Sequence, residues 1–190
     1  MRIYIIDDDW DMVQYVTALL ESAGHEVHSG VSGVSNLPKI VARKPDAILV
    51  DLVMAEMDGI ELVGQLRAKK ELANTKIIMV TSAAPIRGLA NYSMYATGRG
   101  AGNAMVKSLS LELAAANIQV NAIAPNYIEN PTYFPPELTE NEAAMKKMLS
   151  NIPAKRLGQP EEVAGLIAFF ASDKCGFVTG HVVPISGGWA

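Results

Sequence analysis

Residues 76–85 read K-I-I-M-V-T-S-A-A-P, and the reading of this string decides the fold. Residues 77–80 are a short apolar run within a predicted strand over 76–81, and Ser82 to Pro85 break it. A run of this length bounded by turn residues describes a strand buried on both faces of a parallel sheet. Working outward, strands and helices alternate. Upstream, residues 2–6, 26–28 and 47–50 are predicted strands. Residues 10–23, 34–43 and 59–70 are predicted helices. The first of these carries Met12, Val13, Val16, Leu19 and Leu20 at helical spacing and stops at Gly24. Downstream, a long helix rich in Ala and Gly spans 92–116, and a strand spans 118–123. Residues 124–136 form a loop holding four prolines, and 137–149 are amphipathic. A helix over 160–171 has Pro in its first turn, and 181–185 is a last strand. This alternation predicts an α/β fold: a three-layer, doubly wound parallel sheet with right-handed crossovers. Ligands of such sheets sit beyond the carboxyl ends of the strands.

The chain has 190 residues, 49% of them hydrophobic, which suits a single domain over 1–190. No apolar run reaches the roughly 18 residues of a membrane span. The opening M-R-I-Y-I-I-D-D-D is too acidic for a secretory signal. Cys175 is the one cysteine, so no internal disulfide forms, and a cytoplasmic setting is expected. The net charge is −4; residues 1–80 hold twelve acids and eight bases, and the remainder holds eight of each. No basic stripe exists, so neither nucleic acid nor membrane is an expected partner. His25, His28 and His181 lack metal-ligand spacing, and Trp10 and Trp189 have no assigned role.

Asp7, Asp8 and Asp9 follow the first strand, Asp51 ends the third and Thr81 ends the fourth. In a parallel sheet these ends are neighbours, so carboxylates converge and repel unless a cation neutralises them. Oxygen-rich clusters suit Mg²⁺; acids after strands also serve as helix caps. The strings I-I-D-D-D-W-D-M, I-L-V-D-L-V-M-A-E-M-D-G-I-E-L and I-I-M-V-T-S-A resemble a response-regulator receiver domain over residues 1–83. That resemblance implies a metal site at Asp7, Asp8 and Asp51, a phosphoacceptor at Asp51, a switch hydroxyl at Thr81 and a turn at Asp58-Gly59. Ala55 replaces the family's usual proline. The family's lysine after the next strand has no counterpart here.

Tyr95 and Arg99 are four apart and share one helix face. A guanidinium beside a phenol favours the phenolate, and Ser82 would hold a substrate oxygen while Tyr95 moves the proton. Three strings extend the pattern: S-A-A-P-I-R-G-L-A-N-Y-S-M-Y-A-T-G-R-G-A-G, N-I-Q-V-N-A-I-A-P-N-Y, and F-V-T-G-H-V-V-P-I-S-G-G. Over about 77–190 they resemble the C-terminal half of short-chain dehydrogenases/reductases. Arginine at 99 in place of lysine resembles the halohydrin dehalogenases of that superfamily. The resemblance implies catalysis by Ser82, Tyr95 and Arg99, halide binding at Pro125, Asn126 and Tyr127, a haloalcohol substrate, and a homo-oligomer through helix 92–116. The glycine-rich phosphate loop is missing from the first strand's end, so no NAD(P) is expected.

The two resemblances meet at Thr81 and Ser82. Together they imply an engineered chimera, a flavodoxin-like fragment 1–81 joined to a Rossmann-like fragment 82–190, with strand order 2-1-3-4-5-6. Three functions stand open on this reading: a designed scaffold without assured activity, residual dehalogenation to an epoxide, and a Mg²⁺-binding phosphoacceptor.

Overall fold

The central strands are apolar on both faces, so they stack edge to edge with helices covering both sides, and the partly exposed strands Glu26–Gly30 and Val182–Ile185 close the edges. The computed structural model describes every residue, Met1–Ala190. Its strands are β1 (Arg2–Ile6), β2 (Glu26–Gly30), β3 (Ala47–Asp51), β4 (Lys76–Val80), β5 (Val120–Pro125) and β6 (Val182–Ile185). All pairings are parallel, in the order β2-β1-β3-β4-β5-β6. This is the expected doubly wound, Rossmann-like order.

The helices are α1 (Trp10–Ser22), α2 (Gly33–Arg43), α3 (Gly59–Leu66), α4 (Ala84–Arg87), α5 (Ser93–Leu113), α6 (Pro136–Thr139), α7 (Glu142–Ser150) and α8 (Pro160–Ala171). Side chains alternate along β1, so Tyr4 and Ile6 enter one core layer while Ile3 and Ile5 enter the other. In the first layer Ile40 of α2, Leu62 of α3 and Val106 of α5 cover the sheet. In the second, Val13 and Leu20 of α1 meet Ile167 and Phe170 of α8. No helix is long and apolar enough to cross a membrane.

No seam divides residues 1–81 from 82–190. Both core layers mix early and late residues. The Thr81 amide donates to Ile123 O at 2.9 Å, carrying the ladder past the supposed junction. Lys76 is a further tie. It is buried at the start of β4, and its Nζ donates to Ala171 O and Ser172 O, both at 2.9 Å, at the end of α8. A cation there satisfies carbonyls that the helix leaves without partners.

Local departures from the predicted elements have local causes. Helix α3 stops at Leu66, and a 3-10 turn, Lys70–Leu72, then carries Leu72 into the core. The segment 137–149 is two helices, because Asn141 caps α7 by accepting from the Ala144 amide and so interrupts the run. Asn117, at φ 57°, delays β5 until Val120. Helix α4 was not foreseen.

Lys76→Met leaves two buried carbonyls without a donor. It is expected to lower unfolding free energy by about 2 kcal/mol in urea titrations, with Lys76→Arg recovering part of the loss.

Candidate active site

Strand β3 ends in a buried acid, Asp51, only 6% exposed. A buried carboxylate is tolerated only when cations and donors surround it. Arg99 Nη1 donates to Asp51 Oδ1 at 2.7 Å, and the Val53 amide donates to Oδ2 at 3.0 Å. The same guanidinium nitrogen donates to Val80 O at 3.2 Å. Arg99 reaches this far because α5 runs close to the sheet. Gly102, one turn further on, packs against Leu52, and a Cβ on it would stand 2.7 Å from Leu52 Cδ2. Gly59 makes the corresponding approach for α3, where a Cβ would meet Asp51 O at 2.3 Å. Arg99 Nε is buried and has no partner.

Asp7 and Asp8 complete an acidic cluster. One carboxylate oxygen from each of Asp7, Asp8 and Asp51 lies within 4.8 Å of the others, as the spacing of the strand ends predicts. Burial pushes the Asp7 carboxyl up to about 6; the hydrogen bond from the Asp9 amide opposes this, and the charges of Asp51, Asp9 and Asp8 add to it. Burial works against the Arg99 charge, but Asp51 more than offsets this and raises its pKa. Each acid is also engaged by backbone donors. Asp7 Oδ1 accepts from the Asp9 amide, Asp8 Oδ2 from Ala55, and Asp9 Oδ1 from Asp11 and Met12 at the start of α1. Thr81 does not face this cluster through its hydroxyl, which donates to Ile123 O at 3.2 Å. Asp58 caps α3 by accepting from the Glu61 amide.

Ser82 is buried, and its Oγ accepts from the Ala84 amide at 3.1 Å. Tyr95 is half-exposed on the first turn of α5. Arg99 lies over the Tyr95 ring, its guanidinium carbon 5.7 Å from the centroid. The guanidinium meets Tyr95 at its ring, and its hydrogen bonds go to Asp51 and Val80. Tyr92 packs edge-on to Tyr95 at 6.2 Å. Pro125 ends β5 and accepts from the Ala83 amide. Asn126 and Tyr127 line a cavity of about 90 Å³ with Ile152, Arg156, Ser186 and Glu162, and neither Ser82, Tyr95 nor Arg99 reaches its wall. Sequence reading missed the Asp51–Arg99 pair, although a strand-terminal acid in an apolar run signals a buried cation nearby.

The family model described as enoyl-(acyl carrier protein) reductase matches residues 53–190. The 3-oxoacyl-[acyl-carrier-protein] reductase FabG of Thermotoga maritima is 43% identical over 117 residues, 60% of this chain and 45% of its own length. The reductase MabA of Mycobacterium bovis is 30% identical over 166 residues, 85% of this chain and 63% of its own. The chain thus spans roughly half to two thirds of these relatives' lengths. Among solved structures, one titled a dehalogenation enzyme superposes with TM-score 0.80 at 31% identity, over 100% of this chain and 98% of that one. An NADPH-bound short-chain oxidoreductase from Pseudomonas aeruginosa PAO1 superposes at 0.73 and 19% identity, over 99% and 86%.

These findings correct several expectations. The reductase match begins at residue 53 and crosses the supposed junction, and MabA aligns with 85% of the chain. The engineered chimera, its receiver-like fragment and the inactive scaffold are overturned, and the phosphoacceptor role of Asp51 falls with them. The halohydrin dehalogenase reading, with its haloalcohol, gives way to relatives named as reductases. The expectation of no NAD(P) is overturned by the reductase family match over residues 53–190 and by the relatives named as reductases. The residues after β1 do not fit the diphosphate of such a dinucleotide well. Asp9 already occupies the first amides of α1, and Asp7 and Asp8 present carboxylates where glycines would let a phosphate approach.

A carboxyl raised in the folded state binds its proton more tightly there than in the unfolded chain. Its unfavourable contribution therefore grows as pH rises from the ordinary 3.8 through about 6. Asp7→Asn is expected to be more stable than the parent by about 1–2 kcal/mol at pH 8, the difference vanishing near pH 3, as read from urea unfolding at both values.

Proposed function

We propose, from the premise that the chain belongs to the enoyl-(acyl carrier protein) reductase family of short-chain dehydrogenases/reductases, that it is an oxidoreductase acting on the carbonyl of a 3-oxoacyl thioester. The substrate class follows the printed names of the relatives. The observation that carries the reading is the position of Ser82, Tyr95 and Arg99 at one end of the sheet, inside the matched span. The Ser82 oxygen accepts from an amide of its own loop. Its O–H is then free to donate to a carbonyl oxygen. Tyr95 would supply the proton to that oxygen as it becomes an alcohol, the general-acid half of the reaction. Arg99 holds the Tyr95 ring from one face. The hydride donor would be a nicotinamide dinucleotide; because the acids after β1 oppose its diphosphate, only the proton half is assigned to residues of this chain.

We assign Asp51 the role of holding Arg99, with the charge of Asp7 adding to the attraction, rather than Mg²⁺; Asp8 accepts from the Ala55 amide. Asn126, Tyr127 and Pro125 shape the loop after β5. Met94 and Leu111 on α5 are 86% and 83% exposed; a second copy of the chain would cover them. A cytoplasmic setting goes with this reading.

Reduction of an acetoacetyl thioester by NADPH, followed by loss of absorbance at the nicotinamide band, tests it. Tyr95→Phe is expected to lower the rate by about a hundredfold or more, and Ser82→Ala to lower it as well. Equal rates in parent and Tyr95→Phe, or no NADPH oxidation by the parent chain, would overturn the reading.

A further inference from the structure

We infer that Trp189 is a positioning residue for the active-site rim: with Arg87 and Tyr127 it clamps the loop that bears Ser82 to the loop that follows β5. The inference rests on the proposed role of Ser82, and its structural content stands apart from any activity.

Trp189 follows β6 across the turn Gly187-Gly188, whose residues adopt φ of 59° and 83°. Only glycine takes both without strain in so tight a place. A Cβ on Gly187 would lie 2.9 Å from Ile152, and one on Gly188 3.2 Å from Pro153. The turn is fastened by the Trp189 amide to Ser186 O at 3.1 Å and by the Ala154 amide to Gly187 O at 2.9 Å. It delivers the indole into a buried position, 6% exposed.

Two groups hold the indole there. The Arg87 guanidinium carbon stands 4.7 Å from the ring centroid, within reach of the ring's negative face. The Tyr127 ring meets it edge-on, centroids 5.8 Å apart at 76°. Arg87 forms no ion pair, so the indole is its one assigned partner. Tyr127 is held in the left-handed region at φ 57°. A non-glycine residue there needs surroundings that fix it. The Asn126 side chain, which accepts from the Tyr127 amide, and the Gly158 amide, which donates to Tyr127 O, do so.

Arg87 is the last residue of α4, a single turn that begins at Ala84, with Ala83 as its cap between it and Ser82. Its amide donates to Ala83 O, and the Ala83 amide donates to Pro125 O at a long 3.4 Å. The backbone tie between the two loops is thus one weak bond. The cation, indole and phenol supply the stronger connection. Movement of α4 displaces the Ala84 amide that orients the Ser82 oxygen, so the clamp acts on the site through Ser82.

The experiment uses the full chain with Trp10→Phe, which leaves Trp189 as its only tryptophan. Arg87→Met and Arg87→Lys are then compared in that background. Arg87 is exposed, so its truncation should leave the melt cooperative. Arg87→Met is expected to raise acrylamide quenching of Trp189 and to speed amide exchange at Ala83 and Ala84 by about tenfold, with Arg87→Lys restoring most of both. Where the parent turns over an acetoacetyl thioester, Arg87→Met should raise KM more than it lowers kcat. Unchanged exchange at Ala83 and Ala84, whether or not quenching rises, would overturn the inference. A parent chain that oxidises no NADPH would overturn the proposed function alone, since quenching and exchange are read without substrate.

Discussion

The ion pair between Asp51 and Arg99 is the constraint around which the rim is arranged. Both partners are largely withdrawn from water, with side chains 7% and 18% exposed. Burying two charges costs more than their attraction returns unless geometry and extra donors are right. Here the Val53 amide donates to Asp51, the Val80 carbonyl accepts from Arg99, and the contact between the pair is a short 2.7 Å. The pair is therefore weak evidence for net stability, whereas removing either partner alone would leave the other charge buried without its counterion. Rotating α5 about its own axis would strand Arg99 in the apolar layer with Val106 and Leu109. Only one orientation of a 21-residue helix satisfies the charge, and that orientation sets where Tyr95 points.

The sheet was legible because a strand buried on both faces must be written in uninterrupted apolar letters, and the alternation with helices then restricts the order to a few choices. The short helices α4 and α6 were not, because a single turn leaves no periodicity to read. Asp51, Arg99, Ser82 and Tyr95 were each picked out, and Tyr95 was set beside Arg99, yet the pairing of Asp51 with Arg99 was not. Asp51 and Arg99 are 48 positions apart, and nothing in local spacing says that α5 approaches the sheet closely enough for contact. Gly102 was the available signal, a small residue one turn beyond Arg99 on a helix whose inner face must meet β3. The inference of a chimera failed for a related reason. Strings around Asp51 and Thr81 were read as ancestry, whereas an acid at one strand end and a hydroxyl at the next are what any parallel sheet with a polar rim can carry. The hydroxyl of Thr81 in fact serves the ladder.

The acidic cluster has consequences beyond Arg99. Asp7 sits in a field of three other carboxylates, partly buried, with one cation to share. That cation is already committed to Asp51. The loop after β1 is thus the electrostatically least favourable part of the rim for a dianionic diphosphate, at the place where the fold family receives one. Screening by water and salt weakens the opposition without reversing it, because the first amides of α1 are already bonded to Asp9. The acids after β1 and the diphosphate of a nicotinamide dinucleotide therefore pull in different directions, and under the proposed function the weaker side is dinucleotide affinity rather than the proton transfer.

The proton-transfer side is arranged through satisfied and unsatisfied groups. Ser82 receives an amide and keeps its own proton for a ligand. Tyr95 is braced on its ring by Arg99 and Tyr92, and its half-exposed position leaves the hydroxyl end open to solvent. A base or acid held by its ring and free at its oxygen is oriented without being consumed by an internal hydrogen bond. That is the property a group needs if it is to bond a substrate oxygen more tightly as charge develops on it. At the hydroxyl, Arg99 would take up the hydrogen-bonding end of Tyr95; Asp51 draws the guanidinium to the strand end instead, leaving it against the ring.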